Sequence, residues 1–278
     1  MITKDDLQHY LLAELLCAAD TNWVLGHWFL KVIMNGRSLT DCTAFAGMAQ
    51  DTLGHTRALF QILEDWNDMP DQQLEFGRGI EKIHSMQVLD KPPSNWGDFV
   101  VTSLLVGDAT WRFLCTFKSG TNKSLEGMVE HIGSESYFHR MNITGWLKEL
   151  TNEERQDLEL ALPARLSMIL AWFGSQEYST SDPLLAAGVR SASLWEARHS
   201  FVEEVNNKLV TMLGINESLI SNILTAPVRT NCDNSRRRTE GSNMPAELWE
   251  FLVPTCPEAV AARRSIDVSI TDNIDLFV

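Results

Sequence analysis

The chain lacks any run of about 18 apolar residues, the length a membrane-spanning helix needs. It is short of positive charge: 23 Lys and Arg stand against 37 Asp and Glu, a formal net charge of −14. Nucleic-acid phosphates and anionic membranes are recognised by clustered cations, so neither is an expected partner. No CxxC spacing occurs among Cys17, Cys42, Cys115, Cys232 and Cys256. A structural zinc site therefore has no support, and all five cysteines are expected to be reduced. The opening segment has neither the basic n-region nor the cleavage site of a signal peptide, which makes the cytoplasm the expected compartment. A Gly-rich phosphate loop, a nucleophile elbow and a hairpin signal are also missing.

What is abundant is helical periodicity. The pattern predicts helices over about 4–31, 39–66, 98–117 and 124–150, long enough for a four-helix bundle. A fifth helix starts at the capping box of Thr151 and Glu154, with Pro163 expected to kink or interrupt it. A sixth starts at Ser193 and Glu196 and ends near Leu213-Gly214. Short helices are expected near Pro245–Val253 and Glu258–Ser265. The fold expectation is all-α: one domain over 1–278, a four-helix bundle with its core at about 4–150, a helical extension at about 151–265 and an acidic tail at 266–278.

Several polar residues share the phase of the apolar stripes. On the second helix Asp51 and His55 stand in line with Ala44, Met48, Leu59 and Ile62. On the fourth, Glu135 and His139 share a face with Met128, Ile132 and Trp146. Asp108 is in phase with Val101, Leu104, Trp111 and Cys115 on the third, and the first helix adds Asn22 and His27. An inward carboxylate without a partner is costly, so Asp51, His55, Asp108, Glu135 and His139 are expected to meet in one central cavity.

Two readings follow. One is a metal-free polar network. The other is a metal centre between the facing helices, held by His55 and His139 with one or two of Asp51, Asp108 and Glu135, or acid–base chemistry by the same groups. Di-iron bundles use Glu-x-x-His pairs, whose spacing of three aims oxygen and nitrogen at one point. Here Thr52 stands three residues before His55 and Ser136 three before His139. The one true Glu-x-x-His, Glu196 to His199, belongs to a capping box and is expected on the surface. His9, His84 and His131 are expected to be solvated. The Arg236-Arg237-Arg238 run is either a solvated loop or a grip for a phosphate or carboxylate.

Gln50-Asp51-Thr52-Leu53-Gly54-His55 resembles the QDEAGH segment of the phenylacetyl-CoA epoxidase A/C subunit family (PaaA/PaaC). Asp20 to His27 resembles the helix-one signature of the C subunit, and Leu105 to Ala109 the helix-three aspartate region. Glu135-Ser136-Tyr137-Phe138-His139 is similar to the second Glu/His segment. Ser193-Leu194-Trp195 and Arg237-Arg238-Thr239-Glu240 resemble the C-subunit tail. The resemblance implies a ferritin-like fold. In the family the A subunit holds the iron pair and the acyl-CoA, whereas the C subunit lacks a working iron site and serves as a scaffold. His55 and His139 fall at the iron-histidine positions, with Thr52 and Ser136 where the partner glutamates would stand. Asn22 falls at the helix-one glutamate, and Asp108 at or beside the helix-three ligand.

The chain thus resembles the C subunit most, which implies no cofactor and a related ferritin-like catalytic subunit, or further copies of itself, as partner. The alternative is a stand-alone enzyme of iron or acid–base type, acting on an acyl-CoA or small aromatic ligand.

Overall fold

The computed structural model describes residues 4–67, 70–225 and 232–253. Four long helices form the bundle: α1 (Lys4–Val32), α2 (Leu39–Asn67), α4 (Trp96–Cys115) and α5 (Lys123–Lys148). The short α3 (Asp71–Phe76) follows α2. Helix α4 starts where Asn95 accepts the Asp98 backbone N–H, and α5 where Asn122 does the same for Leu125. Each cap satisfies one of the amide groups that a helix start leaves open.

Side-chain contacts give the direction of each helix. Thr56 of α2 donates to the Ala19 carbonyl of α1, and a Cβ at Gly26 would lie 2.8 Å from Leu53, so α1 and α2 run antiparallel. Phe29 meets Phe99 while Arg190 joins Glu14 to the Phe113 end, so α4 opposes α1. Helices α2 and α4 therefore run parallel and need a connection along the bundle length. Residues 77–95 supply it, with two short 3₁₀ turns at Ile80–Lys82 and Gln87–Asp90. Helix α5 returns antiparallel to α4. A bundle with one long crossover is the ferritin-like arrangement.

The first of the additional helices packs on α4. Helix α6 (Asn152–Trp172) lies along it, in closest approach where a Cβ on Gly97 would stand 2.1 Å from the Glu154 carbonyl oxygen. Of the two outcomes expected at Pro163, interruption does not occur: α6 is continuous through it. The missing N–H costs one hydrogen bond, but Leu158, Leu162, Leu166 and Ile169 bury one face, which holds the helix together across the gap. After α7 (Gln176–Thr180) and α8 (Pro183–Ala186), α9 (Leu194–Val205) begins at its expected capping box and widens into a π-helical segment, Asn206–Met212. Helices α10 (Glu217–Thr225) and α11 (Ala246–Leu252) complete the described chain. Helices α3, α7, α8 and α10 had no place in the sequence expectation.

A second correction concerns the arginine run. It is not a solvated loop: two of its guanidinium groups hold carboxylates of the chain itself. Cys232–Asp233 and Arg238–Thr239 form a small antiparallel ladder, a hairpin the sequence gave no sign of. Two of its arginines are buried: Arg237 binds the Glu14 carboxylate of α1, and Arg238 binds Asp90 and the Ser85 carbonyl; Arg236, half-buried, bonds the Ile83 carbonyl. Arg190 joins Glu14 as well. Arg78 holds Asp20 at 2.5 and 2.9 Å, and Arg165 holds Asp98 through two bonds of 2.8 Å. His84, expected to be solvated, is half-buried and lies 3.1 Å from the Ser235 carbonyl. These arginines tie the crossover to the bundle, where two-pronged geometry offsets the desolvation of both charges.

Among the described residues no helix is long and apolar enough to cross a membrane. Cys17, Cys42, Cys115 and Cys232 are free thiols. Cys256, the expected helix near Glu258–Ser265 and the acidic tail lie outside the described residues.

Candidate functional site

The α2 and α5 stripes face each other antiparallel, so a carboxylate–histidine pair spaced by four on one helix meets the reversed pair on the other. His55 Nε2 lies 2.7 Å from Glu135 Oε2, and His139 Nε2 lies 2.9 Å from Asp51 Oδ2. The imidazole rings are 6.2 Å apart and tilted by 30°. Ionised carboxylates only accept, so each histidine carries its proton on Nε2. Burial holds both histidines below the ordinary imidazole pKa, against the opposing pull of the Glu135 and Asp51 hydrogen bonds. His131, exposed on α5, adds a contact of 3.5 Å to Glu135.

A cavity of about 40 Å³ lies behind these pairs, bounded by His55, His139, Asn22, Asp108, Arg140 and Ser136. The five expected residues do not all converge. Asp51 and Glu135 keep about a third of their side chains exposed, at the outer side of the histidines. Asp108 is buried across the cavity and pairs with Arg112 at 3.4 Å, one turn along its own helix, rather than with a histidine. His27 does not line the cavity. It bonds the Trp23 carbonyl at 2.8 Å and packs against Trp23 and Phe251. Arg140, which sequence reasoning missed, stands among the lining residues.

Three polar atoms of the lining are buried without a hydrogen-bond partner: Asn22 Nδ2, Asp108 Oδ1 and Arg140 Nη1. Burial raises the Asp108 pKa to about 6, with Glu204 adding to it and Arg112 and Arg140 opposing. A folded value above the ordinary 3.8 means that ionised Asp108 weakens the fold fully above pH 6 and not at all below the unfolded value. Asp108→Asn should thus stabilise the protein by about 1–3 kcal/mol at pH 8. Urea unfolding across pH should show that gain shrinking as pH falls from 6 towards 4. A gain independent of pH, or a loss at pH 8, would show that Asp108 is not an uncompensated buried charge.

The family's iron pair can be tested against this geometry. Thr52 Oγ1 is buried and donates to the Met48 carbonyl, and Ser136 offers only a neutral hydroxyl. Both histidine Nε2 atoms are engaged by carboxylates. Among the described residues no group of three or more His, Cys, Asp or Glu is arranged to hold a metal ion. Iron needs anionic oxygen donors, and neither Thr52 nor Ser136, at the positions of the family's partner glutamates, supplies one. Thr52→Glu with Ser136→Glu would restore Glu-x-x-His on both helices. The double variant should retain more iron than the parent after desalting. Background iron in a folded double variant would mean that these positions do not face a common point.

An all-α bundle with one long crossover and polar pairs across its core is a ferritin-like protein. The chain belongs to the phenylacetic acid catabolic protein family (PaaA/PaaC), which it matches over residues 2–215. None of the curated proteins matches it.

Proposed function

We propose that the chain is a metal-free, C-type structural subunit of a phenylacetyl-CoA epoxidase-type multicomponent monooxygenase, paired with a related ferritin-like catalytic subunit. The observation that carries this reading is the reciprocal engagement of His55 by Glu135 and His139 by Asp51. In a catalytic subunit the two histidine nitrogens would be kept for iron; here each is engaged by a carboxylate. An exposed apolar strip on α5 supports a docking role: Tyr137, Phe138 and Met141 are 58%, 56% and 53% exposed. Such a strip beside a polar rim suits a subunit interface.

The orphan polar atoms and the raised Asp108 pKa favour a second reading, an acid–base enzyme using the cavity. Its volume of about 40 Å³ opposes that reading. That is room for a few waters, whereas small-molecule sites span about 300–1,000 Å³. Co-expression with an iron-binding member of the family tests the proposal. Co-elution of the two chains as one species on size exclusion is expected. Separate elution, with turnover by this chain alone, would overturn it.

A further inference from the structure

Helix α5 turns one side to the core, through Leu125, Val129, Ile132 and Ile143, and the opposite side to the surface. That outer side carries Tyr137, Phe138 and Met141, each more than half exposed, with Glu130 towards one end and Lys148 at the other. The Tyr137 and Phe138 rings meet edge to face, 5.4 Å apart, and make one connected patch. We propose that a second copy of the chain docks here, α5 against α5, antiparallel about a twofold axis level with His139. The inference goes beyond the proposed subunit role, because it names what covers the strip when the chain is by itself.

The pattern on the helix is self-complementary. Glu130 and Lys148 stand equally far along the chain on either side of His139, and so do Tyr137 and Met141. At 3.6 residues per turn Glu130 and Lys148 are about five turns apart, so they project along the same edge of the helix. A twofold axis across two facing helices sets each edge against the same edge of the copy, with the direction reversed. Glu130 then meets Lys148 of the second copy, and the pair forms twice. Tyr137 meets Met141 in the same way, and Phe138, beside the axis, packs near its own counterpart. Aromatic residues and Met are the types enriched where subunits meet. A parallel arrangement would set Glu130 on Glu130 and Lys148 on Lys148, which like-charge repulsion disfavours.

Two further observations agree. Glu130 and Lys148 are exposed and have no ion-pair partner among the described residues. Gly127 and Gly145 lie within α5 on its outer side, and a Cβ added to either would meet nothing within 4 Å. Gly26 and Gly97, by contrast, make room for Leu53 and for the Glu154 carbonyl. Glycine inside a helix costs about 0.5–1 kcal/mol against alanine. No neighbour in the chain uses the space at Gly127 and Gly145, whereas the close approach of a second helix does.

Sedimentation velocity of the full chain alone, over a micromolar concentration series, tests the proposal. A mass rising to that of two chains is expected. Phe138→Asp should weaken the dimer about a hundredfold or more, since it sets two carboxylates beside the axis. Lys148→Glu should weaken it about tenfold, and adding Glu130→Lys to that variant should restore it. The substituted side chains are exposed, and the helical signal of each variant checks its fold. A parent that stays monomeric, a dimer left intact by Phe138→Asp, or a double variant no tighter than Lys148→Glu would overturn the proposal. The chain is measured alone, so such a failure is distinct from a failure to co-elute with a catalytic subunit.

Discussion

Arg78→Met should lower the thermal midpoint by roughly 6–15 °C, the largest single effect expected in this protein. Asp20 is wholly buried on α1, and Arg78 is the cation that meets it, at 2.5 and 2.9 Å. The same guanidinium bonds the Leu74 and Lys82 carbonyls, so it closes the start of the crossover onto the bundle. Removing it strands a buried carboxylate whose other bond comes from the His84 backbone N–H at 2.7 Å. Stranding a charge in this way typically costs about 3–5 kcal/mol. The cost belongs to the unpaired charge and not to the lost attraction, so the double variant Asp20→Asn with Arg78→Met should recover much of it. Scanning calorimetry on the single and double variants checks this. A single variant within a degree or two of the parent would mean that water reaches Asp20 and the crossover is not held here.

The second large effect is expected at His55. His55→Ala leaves a void among buried residues and takes the hydrogen bond from Glu135. A loss of about 2–4 kcal/mol follows from the two effects together, or roughly 5–10 °C. The measurement is made with chelator present, so that no metal contributes. His139→Ala should act in the same direction with a smaller drop, because the His139 side chain is itself less deeply buried, 13% exposed against 6% for His55. Residues kept for chemistry often contribute little to stability. An unchanged midpoint in either variant, with an activity lost, would favour the enzyme reading over the scaffold.

The central polar pairs were legible in the sequence because helical geometry is local. A carboxylate and a histidine four apart, in phase with an apolar stripe, had to face inward on α2 and again on α5. Both capping boxes, Thr151 with Glu154 and Ser193 with Glu196, were legible for the same reason. Asp108 was assigned to the right side of its helix but to the wrong partner. Its cation stands one turn away on the same helix, where sequence reasoning looked across to the histidines. The arginine run was misread because its partners are remote: Glu14 and Arg237 are 223 positions apart, and no periodicity reports such a pair. A faint signal did exist in Glu14 itself, which shares the inward face of α1 with Leu11, Leu15 and Ala18.

The central claim is that the histidines close on carboxylates in place of a metal. Elemental analysis of the full chain, expressed in iron-supplemented medium and purified without chelator, tests it most directly. The account predicts iron at background, with the helical signal and thermal midpoint unchanged by subsequent chelation. Iron in stoichiometric amount, lost on chelation together with a fall in the midpoint, would contradict it.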